Sequence, residues 1–276
     1  MRNIAVRLAV GVVIIVGAGC SSSPPPPATG TGTELLVSSS TGFVNDPASG
    51  VIGAWFAYGD GVGSSAGVGD AGTDVGDSDC VKNGGFTADQ CSQITTPTPG
   101  TPFAPTDVKT SKQCTSGTAA VVLNKNGNPD YTDLFGAGIG LDFNNPGGDA
   151  GPAGYLDLSG YAGVEFDFSA DTLPTNSMRV NFPFKTMHGD DSPFWMGATS
   201  AESPLTGTTS APQHVKIAWG DVGGPFYLTQ QTPPVDLTQY PFDPKNVQAM
   251  EIQVFTSAKN TTPYSFCIAN LALTKK

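Results

Sequence analysis

The chain has 276 residues, a length that suits one large all-β domain or two small ones. Gly (35) and Pro (23) are abundant and charged residues make up 13%, against about 25% in a typical soluble domain, which points to strands and turns and away from helices. The net charge of −11 excludes nucleic-acid binding through phosphates and electrostatic adhesion to anionic lipid.

The first twenty residues, MRNIAVRLAVGVVIIVGAGC, carry a basic start (Arg2, Arg7) and then an apolar run from Leu8 to Gly19. A membrane-spanning helix needs about 20 apolar residues, so this shorter run predicts a secretory signal peptide over residues 1–19. Its removal takes away two arginines and no acid. The segment Gly17-Ala18-Gly19-Cys20 resembles the lipobox of bacterial lipoproteins, with Gly17 where that family prefers Leu. The resemblance implies that Cys20 becomes the lipidated first residue. Ser21 after it implies export to the outer membrane or cell surface of a Gram-negative bacterium. Residues 20–41 are low-complexity Pro, Ser, Thr and Gly, and predict a tether that lifts a domain off the membrane.

From residue 42 to 276 short apolar runs alternate with Gly, Pro, Asn and Asp clusters. Strands are predicted at 51–58, 118–123, 137–143, 162–168, 178–184, 213–219, 247–255 and 264–273. In QHVKIAW, Val215, Ile217 and Trp219 alternate with Lys216 and Ala218. In VQAMEIQVF, Met250, Ile252 and Val254 alternate with Glu251, Gln253 and Phe255. Strands with one dry and one wet face belong to antiparallel sheets, and about eight of them make a two-sheet β-sandwich or jelly roll. Residues 59–117 predict one long loop excursion.

Beyond Cys20 the cysteines are Cys80, Cys91, Cys114 and Cys267. An exported chain favours disulfides, and four cysteines allow three pairings. Cys80 and Cys91 share one loop region, so they are expected to pair, which leaves Cys114–Cys267 to join the middle of the chain to its last strand. A loop that long is stabilised by on the order of 4 kcal/mol in the chain-entropy model. The cysteine spacings fit no zinc pattern.

The order GVIGAWFAYGDG, FGAGIGLDFN, YLDLSGYAGVEFDF, MRVNFPF, VQAMEIQVF and FCIANLAL resembles a family of bacterial surface lipoproteins. These are related in pattern to galactose-binding-like β-jelly-roll domains, including carbohydrate-binding modules of secreted glycanases. The most specific piece is the turn into a strand carried by Leu158, Ser159, Gly160, Tyr161 and Gly163. The resemblance spans residues 50–273. It implies a jelly roll and a non-catalytic carbohydrate-binding surface protein. Family members often end in Trp-Ile-Asp-Asp, where this chain has Ile268-Ala269-Asn270, so a structural calcium held by those acids is not matched here.

Glu165 and Asp167 stand two apart on one strand face, about 6.6 Å by rise alone. That overlaps the carboxylate separations of glycosidases. Parallel side chains on one strand do not flank a scissile bond, however. Arg179, the only arginine after Arg7, is expected to face out on the next strand and form a cross-strand ion pair with either acid. All three are candidate ligand contacts if that face binds. His188, Asp190, Asp191 and Trp195 in TMHGDDSPFW, with Phe226 and Tyr227 in GGPFY, are candidate carbohydrate contacts in loops. There, rings can stack on sugar faces and polar groups can meet hydroxyls. Trp55, Tyr58 and Trp219 are further aromatic candidates, of which Trp55 and Trp219 lie within predicted strands and are assigned to the core. No catalytic residue is assigned, because no nucleophile motif is present. Asp70, Asp74, Asp77 and Asp79 make 69–79 a candidate calcium loop without EF-hand spacing. The readings competing with carbohydrate binding are an adhesive surface protein with a protein partner and a glycoside hydrolase.

Overall fold

The computed structural model describes residues 32–59, 91–98, 103–120, 136–147, 154–174, 178–184, 197–198, 205–223, 241–254 and 261–276. Twelve strands are described: β1 Thr33–Leu35, β2 Phe43–Asp46, β3 Val51–Gly59, β4 Gln93–Thr96, β5 Gln113–Ala119, β6 Ala137–Asp142, β7 Tyr161–Thr172, β8 Met178–Asn181, β9 Gly197–Ala198, β10 Gln213–Ala218, β11 Ala249–Val254 and β12 Thr262–Lys275. The only helical element among the described residues is a 3-10 turn at Trp219–Asp221.

The first sheet runs β10-β7-β12-β5-β4, with β1 also paired to β12. The second runs β2-β3-β6-β11-β8-β9. Every ladder is antiparallel. The chain changes sheet at each step from β5 to β8 and again from β10 to β12, the crossing pattern of the jelly roll expected from the sequence.

Alternation builds the core. Val164, Phe166 and Phe168 of β7 and Tyr264, Phe266 and Ile268 of β12 turn inward from the first sheet. They share one buried cluster with Trp55, Ile139, Leu141, Met250, Ile252 and Val254 of the second. In β12 the parity changes. Ile268 pairs with Phe168 and Leu273 with Val164, so β12 has one more residue than β7 between those pairs. Asn270 takes up the extra residue as a bulge at φ 54°, a left-handed conformation that Asn tolerates. Leu271 and Leu273 thereby return to the core.

The turn into β7 closes as its sequence suggests. Ser159 N donates to Asp157 Oδ1 at 2.9 Å, and Tyr161 N donates to Leu158 O at 3.0 Å. Leu158 is fully buried, and its carbonyl also accepts from Trp219 Nε1 at 3.3 Å. Cys114 and Cys267 are directly opposite on β5 and β12 and form the expected disulfide. Cys91 is disulfide-bonded, while Cys80 lies outside the described residues, as does Cys20.

Three boundaries move. The sandwich takes in β1, inside the segment that composition assigns to the tether; Leu36 is wholly buried and its N–H donates to Leu271 O. The 59–117 excursion contains β4, most of β5, and the core residue Phe103. The strand expected at 118–123 begins instead at Gln113 and ends at Ala119, and residues 121–123 lie outside the described set.

Candidate functional site

Glu165 and Asp167 lie on the outer face of the first sheet, as their alternation with Val164, Phe166 and Phe168 requires. Arg179 is not their partner. It sits on β8, which pairs with β11 and β9 in the other sheet, so the expected ion pair is corrected. The edge strand β10 supplies the partners. Lys216 is opposite Glu165, with Nζ 3.0 Å from Oε2, and His214 is opposite Asp167, with Nδ1 2.8 Å from Oδ1. His214 Nε2 lies 3.8 Å from Glu165 Oε2. Asn270, held at its bulge, donates from Nδ2 to Asp167 Oδ2 at 2.8 Å. Burial pushes Asp167 up, but the hydrogen bonds from Asn270 and His214 outweigh it and leave the carboxyl below its ordinary range. Both acids are therefore already engaged, one by a lysine and the other by hydrogen bonds.

The outer face of the second sheet is different. Trp55, Ala57, Ile139, Leu141, Met250, Ile252, Val254, Met178 and Val180 belong to the core, so their strand neighbours point the other way. Registers then align two rows across four strands. One is Phe56, Gly140, Glu251 and Asn181; the other is Tyr58, Gly138, Gln253 and Arg179. A Cβ at Gly140 would sit 2.5 Å from the Phe56 ring and 2.9 Å from Glu251 Cγ, and one at Gly138 would sit 3.0 Å from Tyr58 Cζ. The two rings therefore extend over the glycines of β6 toward the polar side chains of β11. Their centroids are 6.0 Å apart, and both residues keep part of their surface exposed.

The polar half is ordered by hydrogen bonds. Arg179 Nε donates to Gln253 Oε1 at 2.6 Å, and Asn181 Nδ2 donates to the same oxygen at 3.1 Å. The arginine donor fixes which end of the Gln253 amide is oxygen, and this in turn fixes Asn181 with its nitrogen toward Gln253. Burial brings the Arg179 guanidinium down to about 10, against the charges of Tyr58 and Glu251. Burial also pushes the Glu251 carboxyl well above the carboxylate range. The nearby Tyr58 hydroxyl and Arg179 oppose this, and Asp142 adds to it. The Tyr58 hydroxyl is raised first by burial and then by Glu251.

Of the residues the sequence singles out, Trp195, Phe226, Tyr227, His188, Asp190 and Asp191 lie outside the described residues, as does the 69–79 loop. Among the described residues no group of three or more His, Cys, Asp or Glu side chains is arranged to hold a metal. Trp55 is buried in the core as expected, and Trp219 packs edge-on against Phe182 at 5.4 Å. Sequence reasoning named Tyr58 among the candidate aromatics but missed Phe56, Glu251, Gln253 and Asn181 beside it. Their signal was the unbroken apolar run of β3 facing a strand with alternating glycines, Gly138 and Gly140.

No protein-family model matches the chain, and no curated protein matches it. Among solved structures it is similar to a family 11 carbohydrate-binding module from Clostridium thermocellum in complex with a β-1,3-1,4-mixed-linked tetrasaccharide. Identity there is 15%, coverage 67% of this chain and 81% of that one, and the TM-score 0.38. It is also similar to the family 11 module of a cellulosomal cellulase of the same organism, at 13% identity, the same coverage and a TM-score of 0.35. A family 30 carbohydrate-binding module matches at 14% identity over 59% of this chain and 76% of that one, with a TM-score of 0.33.

Proposed function

We propose that this protein binds an oligo- or polysaccharide on the outer face of its second sheet, without catalysing a reaction, as an exported protein anchored by lipid at Cys20. The observation that carries the binding reading is the pair of rows on that face. Phe56 and Tyr58 extend over Gly140 and Gly138 and stop beside Glu251, Gln253, Asn181 and Arg179. A sugar ring offers an apolar C–H face and a rim of hydroxyls. Aromatic surface beside carboxyl, amide and guanidinium groups is complementary to both. Trp195, Phe226, Tyr227, His188, Asp190 and Asp191 would supply further contacts from loops. On the first sheet, Glu165 and Asp167 are already held by Lys216 and His214, which suits a polar outer surface better than a hydrolytic pair.

Affinity electrophoresis against soluble β-glucan, xylan, galactomannan and pectin tests the reading. Retardation by at least one polysaccharide is expected, weakened at least about tenfold by Tyr58→Ala, since an aromatic contact is a common anchor of binding energy. Absence of retardation on the whole panel would favour the adhesive reading with a protein partner. Release of reducing sugar from a retarding polysaccharide would favour a hydrolase. Incorporation of labelled fatty acid in the parent but not in Cys20→Ser tests the anchor; equal labelling, or none in either, would remove it.

A further inference from the structure

On the outer face of the second sheet Glu251 is set apart from its neighbours. Gln253 holds both Arg179 and Asn181. Glu251 is only 4% exposed, its Oε2 has no hydrogen-bond partner, and among the described residues no cation forms an ion pair with it. The titratable and charged groups facing it are Tyr58 from β3, Asp142 from β6 and Arg179 from β8, whose Nε is committed to Gln253. Directly opposite on β8 stands Asn181, wholly buried, with its amide nitrogen spent on Gln253 and its Oδ1 without a partner. A buried carboxylate in this position would lie beside Asp142 with only the Tyr58 hydroxyl and the Arg179 charge to offset its burial, whereas a carboxylic acid would carry an O–H ready to donate. Burial acts in that direction on Glu251.

Building on the carbohydrate reading of this face, we propose that Glu251 meets its ligand as the neutral acid, donating its O–H to a saccharide oxygen while Asn181 Oδ1 accepts from a neighbouring hydroxyl. Ligand and proton then bind together. Affinity is highest where Glu251 is protonated and falls as pH rises through its value in the folded protein, by up to about tenfold per pH unit when only the acid form binds. Because burial raises that value, the fall lies above the ordinary carboxylate range.

The test measures retardation on the same polysaccharide panel between about pH 5 and pH 9 for the parent, Glu251→Gln and Glu251→Leu, with each variant's fold checked by thermal melting. Gln keeps a neutral N–H donor at every pH and Leu has none. The parent is expected to lose affinity as pH rises, Glu251→Gln to bind with a pH-independent affinity, and Glu251→Leu to bind weakly throughout. A parent affinity that is flat or rises with pH, or a Glu251→Gln profile that still follows the parent's, overturns the donor role and leaves the carbohydrate reading intact. No binding of any polysaccharide at any pH overturns both. A carboxyl with a purely structural role would shift melting temperatures without making ligand affinity depend on pH.

Discussion

At the scale of single residues, two carboxyls on opposite faces respond to pH with opposite sign. Asp167 is held below its ordinary range by Asn270 and His214 against the effect of burial. A depressed folded value means that the unfolded chain binds the proton more readily. The stabilisation is therefore present above the ordinary carboxylate range and is lost as pH falls through the folded value. Glu251 is the reverse. Its raised value makes the folded state the better proton binder, so stability declines as pH climbs from the ordinary carboxylate range toward that value. Urea midpoints followed against pH should show Asp167→Asn less stable than the parent at neutral pH, with the gap closing toward acid. Glu251→Gln should be at least as stable as the parent at neutral pH, with the gap closing as pH approaches the ordinary carboxylate range. Parallel curves for either variant would contradict the assigned environment.

At the scale of elements, the glycines of β6 keep the aromatic row in place. At Gly140 a methyl group meets chiefly the far end of the Phe56 ring, which can swing away, with the Met250 backbone oxygen at 3.0 Å; at Gly138 it runs into the backbone oxygen of Ile252, which cannot move. Gly140→Ala should therefore weaken polysaccharide retardation with little change in melting temperature, whereas Gly138→Ala should cost about 2 kcal/mol of stability. β1 is a second test. Leu36 follows it and is wholly buried, so Leu36→Ala should cost about 2–5 kcal/mol in urea unfolding. A cost near zero would return that segment to a tether.

The same elements show how far the sequence was legible. Eight strand regions could be read from alternation and turn residues, because those runs are apolar enough to identify a buried face. β1 (TEL), β2 (FVND), β4 (QITT) and β9 (GA) could not, being two to four residues long; neighbouring strands recruit them. Strand partners were hidden for a different reason. Arg179 follows Glu165 and Asp167 closely in sequence, yet its hydrogen-bond partner Gln253 is 74 residues away, because the jelly-roll crossing sends β7 and β8 to different sheets. Alternation assigned Glu251 and Gln253 to the face away from the core. It carried no sign that this face also becomes buried, and that burial is what gives Glu251 its properties.

At the scale of the whole molecule, two outer faces divide the work. The first sheet carries charge pairs on its outer face, and the disulfide joins β5 to β12 within it. Surface pairs such as Lys216 with Glu165 contribute only about 0–1 kcal/mol each, so that face resists association more than it stabilises the fold. The bridge closes a separation of 153 residues, and a Cys114→Ser, Cys267→Ser double variant should lose up to about 5 kcal/mol in urea unfolding. The second sheet carries half-buried aromatic rings beside a buried, hydrogen-bonded polar row. The most direct test of the division is an amide chemical-shift map of the labelled protein titrated with an oligosaccharide cut from the retarding polysaccharide. Shifts confined to Gly138, Gly140, Glu251, Gln253 and their strand neighbours, with Glu165, Asp167 and His214 unmoved, are the predicted result. Shifts that follow β7 and β10, and leave β6 and β11 unchanged, would contradict it.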